Sequence, residues 1–67
     1  MEIQIRMALV YAGITQKQLG KQLGMSLPSF NAKLKRDTWT VSELQQIAKA
    51  LNCEFVSFFR FKDDKII

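Results

Sequence analysis

Three short stretches of this chain repeat one pattern at a fixed phase. They are Ile14-Thr15-Gln16-Lys17-Gln18-Leu19, Met25-Ser26-Leu27-Pro28-Ser29-Phe30 and Trp39-Thr40-Val41-Ser42-Glu43-Leu44. Each runs apolar, hydroxyl, two residues, polar, apolar, which is the spacing of a helix start. The hydroxyl accepts from a backbone N–H one turn in, and the polar side chain at that position can reach back. The apolar residues on either side close as a staple. Thr15/Gln18 and Thr40/Glu43 have the residues of full capping boxes. Ser26/Ser29 is the weaker pair, supported by Pro28 in the first turn. A chain with three such starts is committed to short helices.

The stops agree with the starts. Gly13 follows a first segment, roughly Ile3–Ala12, and Gly24 follows a second, Gln16–Leu23. Both stand where a left-handed backbone ends a helix and glycine bears it best. A third helix is expected over Leu27–Lys35. A fourth is expected from Val41 to about Leu51, with Val41, Leu44, Ile47, Ala48 and Leu51 on one face and Asn52 ending it. Gly24, Met25 and Ser26 leave only a sharp bend between the second and third helices, which makes a helix-turn-helix unit. The first helix is different. Ile3, Ile5, Met7, Ala8, Leu9, Val10, Tyr11 and Ala12 leave it little polar face, so it needs cover on more than one side.

Length and composition close off most other chemistry. At 67 residues there is room for one domain, and a chain of that size buries only about 60% of its unfolded surface. Cys53 is the only cysteine and there is no histidine. No disulfide, metal site or histidine base is therefore expected, and the acids are too scattered to suggest an enzyme. A hydrophobic fraction of 48% is that of a folded globule. No apolar run approaches the ~20 residues of a membrane span. The first residues lack the basic region and cleavage pattern of a signal peptide. A cytoplasmic domain without cofactor, membrane or small-molecule ligand is expected.

The tail, Glu54-Phe55-Val56-Ser57-Phe58-Phe59-Arg60-Phe61-Lys62, holds four of the five phenylalanines. As a strand it puts Phe55, Ser57, Phe59 and Phe61 on one face; as a helix it groups Phe55, Phe58, Phe59 and Lys62. Aromatic density and the want of an N-cap favour the strand. Lys62–Lys65 can turn the chain so that Ile66 and Ile67 return. The chain thus divides into a helical part, residues 1–52, and a β tail, residues 53–67. With a small core and no covalent staple, association is the remaining stabiliser. Phe55, Phe59 and Phe61 are the expected homodimer contacts, with the tail also covering the apolar first helix.

Net charge is +4, and its distribution is uneven. Between Thr15 and Arg36 there are five basic residues (Lys17, Lys21, Lys33, Lys35 and Arg36) and no acid. A solvated lysine-rich surface is the plain reading of such a stretch; a footprint for a polyanion, nucleic acid above all, is the functional one.

Residues Thr15–Leu51, through TQKQLGKQLGMSLPSF, KLKRDTW and SELQQIAKAL, resemble the phage Cro/repressor-type helix-turn-helix family. The resemblance implies a mainly α fold: a four-helix bundle, here with a C-terminal β-strand or short hairpin. It implies a DNA-binding transcriptional regulator, in a subgroup of small bacterial and prophage regulators, acting on double-stranded DNA as a homodimer. It also assigns roles. Gln16, at the start of the second helix, grips a phosphate, with Lys17 and Lys21 as neighbouring backbone contacts. Leu27, Pro28, Asn31 and Ala32 face base edges in the major groove. Ser29 contacts backbone, and Lys35 and Arg36 form a phosphate-binding turn.

Four departures from the family's pattern matter. Lys33 sits where the family often has an apolar core residue, with Leu34 taking the apolar place beside it. Leu27, Pro28 and Ala32 stand where amides are usual, leaving Asn31 as the one good hydrogen-bonding reader. Gly20 replaces the usual alanine and allows close helix approach. Leu9 and Leu34 occupy the places of a buried arginine and glutamate, and such an exchange is often neutral or stabilising. The apolar reading face also supports a second reading: a protein-interaction module on the same scaffold, a degenerate regulator or antitoxin-like partner, with weak DNA binding.

Overall fold

The computed structural model describes residues 1–67 as four helices and a small antiparallel sheet. The elements are α1 (Glu2–Ala12), α2 (Gln16–Gln22), α3 (Leu27–Arg36), α4 (Val41–Ala50), β1 (Glu54–Phe55) and β2 (Phe59–Arg60). The three starts stand where the repeated pattern puts them. Thr15 Oγ1 accepts the Gln18 N–H at 3.1 Å, and the Thr15 N–H donates to Gln18 Oε1 at 2.9 Å. Thr40 and Glu43 close the same reciprocal pair at 3.1 and 2.9 Å. Ser26 caps α3 through the Ser29 N–H at 3.3 Å. The stops hold as well: Gly13 and Gly24 are left-handed (φ 70° and 73°), and so is Asn52 (φ 58°). Asp37 ends α3 in the same conformation (φ 55°), its N–H donating to the Lys33 carbonyl.

At Gly20, α2 packs against Phe30 of α3 and the turn before it. The Met25 N–H reaches the Gly20 carbonyl at 2.7 Å. A Cβ on Gly20 would lie 3.2 Å from the Met25 carbonyl oxygen and 3.5 Å from the Phe30 Cβ. A side chain here would oblige the Met25 carbonyl to give by a few tenths of an ångström.

One core joins all the elements. Its twelve buried members are Ile5, Ala8 and Leu9 of α1, Leu19 of α2, Phe30 and Leu34 of α3, Leu44, Ile47, Ala48 and Leu51 in and just after α4, and Phe59 and Phe61 of the tail. No polar or charged residue is buried with them, which agrees with leucines in the places of an ion pair. Val41, expected on the buried face of α4, is instead exposed. It sits in the first turn, beyond the reach of α3.

The tail departs from the single strand over residues 54–61. It folds back at Val56–Phe58, where the Val56 N–H donates to the Phe58 carbonyl. β1 and β2 pair antiparallel with Glu54 opposite Arg60 and Phe55 opposite Phe59. The turn over residues 62–65 forms as expected, and Phe59 and Ile67 exchange both backbone hydrogen bonds at 2.9 Å. β2 is therefore central, between β1 and the returning residues 65–67. Phe55, Phe59 and Phe61 still share a face, but cross-strand pairing and one i,i+2 step put them there. That face points into the chain's own core: Phe59 is 0% exposed and Phe61 7%. The expectation that these rings make a dimer is corrected on this point, because burial within one chain leaves Phe59 and Phe61 unavailable to another, and Phe55 is half-buried against Phe59, ring centroids 5.1 Å apart.

The tail does cover one side of α1. The Tyr11 ring lies 4.8 Å from that of Phe61, and its hydroxyl donates to the Asp63 carboxylate. That bond lifts the Tyr11 phenol above its usual range and, with the Lys65 N–H, holds Asp63 below the ordinary carboxylate value. Opposite the core, Ile3, Met7 and Val10 remain in solvent.

Candidate nucleic-acid interface

Phe30 and Leu34 turn one edge of α3 into the core. At about 100° per residue, Ala32 then falls on the far side of the helix, flanked by Pro28 and Arg36. Pro28, Ala32, Lys35 and Arg36 are exposed, and Leu27 is 40% exposed. Asn31 is half-buried on the flank, one turn along from Leu27. Of the residues expected to read bases, Pro28 and Ala32 share the outward face of α3, Asn31 lies on its flank, and Leu27 lies nearer the core side, part-exposed because it opens the helix; none of them is a core residue. Lys35 and Arg36 lie in its last turn, where the negative end of the helix favours cations.

Ser29 is tied to the N-terminal cap of α3. Its N–H and its oxygen both face Ser26: the N–H donates to Ser26 Oγ, and Ser29 Oγ accepts the Ser26 hydroxyl at 3.0 Å. On α2, Leu19 and Gly20 are buried while Lys17 and Lys21, one turn apart, are exposed. The capping box engages Thr15 and Gln18. The Gln16 amide beside them takes no part in it.

Four ion pairs form in the chain: Met1 amino group–Asp37, Arg6–Glu2, Lys33–Glu43 and Arg60–Glu54. Lys17, Lys21, Lys35 and Arg36 belong to none of them. Lys33 is the exception in the basic stretch. Its ammonium pairs with Glu43 of α4 and stands over the Trp39 ring, 5.4 Å from the centroid. Trp39 in turn packs on Phe30 at 5.9 Å between centroids. Lys33 is therefore a tie between α3 and α4 and not part of the free cationic surface. Nothing in the sequence marks this, since a ten-residue separation across a turn has no periodic signature. The Glu43 carboxyl is held below its usual range by the Lys33 ammonium, with the Thr40 N–H assisting.

A helix-turn-helix unit with an unburied outer face on its second helix and unpaired cations around it is a surface for nucleic acid. Residues 4–64 match the family model of the Cro/C1-type HTH DNA-binding domain. The chain belongs to that family. No curated protein and no solved structure matches it. As a Cro/C1-type domain it binds DNA, and the match runs through Asp64, so β1 and β2 lie within the matched residues. The bundle with its C-terminal hairpin is the fold the resemblance implied. No helix is long and apolar enough to cross a membrane.

Proposed function

We propose that this Cro/C1-type domain is a phage-repressor-like transcriptional regulator that lays α3 in the major groove of double-stranded DNA. The observation that carries the proposal is the division of charge on the two helices. Lys17, Lys21, Lys35 and Arg36 are exposed and unpaired, and no acid lies between Thr15 and Arg36. Those four cations, with the Gln16 amide and the Ser29 hydroxyl, contact phosphates and set the register of the protein on the duplex. Asn31 is suited to an adenine edge, and Leu27, Pro28 and Ala32 to thymine methyls. A face with one hydrogen-bonding reader takes part of its selectivity from the shape and stiffness of the site.

The test is the salt dependence of binding. Affinity for a duplex should fall steeply as salt rises. Replacing both Lys35 and Arg36 by alanine should flatten the plot of log affinity against log salt by about 0.9 for each phosphate no longer neutralised. An unchanged slope counts against this placement. The part-exposed Leu27 at the start of α3 supports the second reading, a protein-interaction module; affinity for a protein partner that ignores salt, with no duplex binding, selects it.

A further inference from the structure

We infer that the outer face of α1 and the sheet edge beside it are the surface on which a second copy of this chain docks. Eight large hydrophobic side chains are exposed in the molecule. Four of them gather here: Ile3 (70%), Val10 (82%), Met7 (53%) and Tyr11 (43%). Ile3, Met7 and Val10 follow each other at four- and three-residue steps, on the side of α1 away from Ile5, Ala8 and Leu9. Beside them, Met7, Val10, Arg6, Tyr11, Lys65 and Ile67 line a shallow groove of about 390 Å³. The groove joins the helix to the last strand, so the patch is continuous.

Its extent suits association. Four such side chains expose on the order of 400 Å² of apolar surface, the size that marks a contact site and not scattered surface residues. Two copies would bring together about 800 Å², the range of a weak, concentration-dependent interface.

The chemistry selects a second copy. Along α1, Ile3 and Val10 stand about one turn to either side of Met7. A two-fold axis through Met7 therefore sets Ile3 of one copy against Val10 of the other, and the face is complementary to itself. The rim agrees. Lys65 lines the groove near Val10 and has no ion-pair partner, while Glu2 stands at the opposite end of the helix with one carboxylate oxygen bonded to Arg6. Antiparallel packing brings Lys65 of each copy toward Glu2 of the other. Arg60 lies opposite Ile66 in the sheet, and no backbone hydrogen bond engages the Ile66 N–H or carbonyl. That leaves an open sheet edge of the kind that pairs with another chain.

Sedimentation of the full chain, without DNA, tests the inference separately from the proposed function. The wild type should run as a dimer at micromolar to near-millimolar concentration. Val10→Glu, at a side chain with no packing role, should weaken association about a hundredfold or more by forcing a charge into the apolar contact. Its circular dichroism should stay that of the wild type, and so should its melting at concentrations too low for the wild type to associate. Ile3→Glu should act alike. A wild type that remains monomeric throughout, or a dimer indifferent to both substitutions, overturns the inference. Duplex binding by the monomeric variants, with a shallower salt dependence, would leave the proposed function standing on its own.

Discussion

Leu9 and Leu34 sit where the family resemblance implies an arginine and a glutamate. Both are buried in the same cluster, at 3% and 0% exposure. A charged pair there costs desolvation that its mutual attraction must offset; two leucines gain from burial directly. Leu34→Ala should therefore cost about 2–5 kcal/mol, as other buried leucine truncations do, and urea melts measure it. A loss below ~0.5 kcal/mol would mean that Leu34 is not in the core. Single residues with one local job are legible from the sequence: the capping threonines, the two helix-ending glycines, and Gly20 as a point of close approach. Lys33 is not, because its partners are an acid and an indole brought to it only by the α3–α4 corner. Phe59 and Phe61 are the apolar anchors that the sequence suggests, but they anchor their own chain and not a second one. Alternation shows which side chains share a face and not what that face meets.

At the scale of elements, the corner between α3 and α4 is held by one carboxylate with two tasks. Glu43 Oε1 accepts the Thr40 N–H and completes the capping box, while Oε2 pairs with Lys33. Its ionisation is favoured in the folded chain, so the stabilisation it contributes is present above the ordinary glutamate range. That contribution is lost as pH falls through the lowered folded value. Glu43→Gln separates the tasks, because glutamine serves the capping box as well but carries no charge. Melts at descending pH should show a smaller acid-side loss for Glu43→Gln than for the wild type. Equal losses would place the acid sensitivity elsewhere, with Asp63 the next candidate. The helices are legible to within a residue or so because each carries its own start and stop. The sheet is less so. Strands of two residues leave no period to read, and Phe55 and Phe59 share a face in an unbroken strand as they do across a hairpin. The turn at Val56–Phe58 carries no glycine or proline to announce it.

For the whole molecule, the tail belongs to the core of the helices it follows. Phe59 and Phe61 are two of the twelve buried residues, and Tyr11 fastens α1 to Phe61 and Asp63. A domain of this size has a small margin of stability. Deleting residues 54–67 should abolish the cooperative thermal transition seen by circular dichroism. A truncated chain that melts as sharply as the full one would show the tail to be dispensable. Trp39 offers a way to watch these events without a label. It is the chain's only tryptophan, it packs on Phe30, and its indole nitrogen is shut away from solvent with no hydrogen-bond partner. Its fluorescence should move to longer wavelength when α3 and α4 come apart and the ring meets water. One optical signal, native to the chain, thus reports whether α3 is still seated on the bundle.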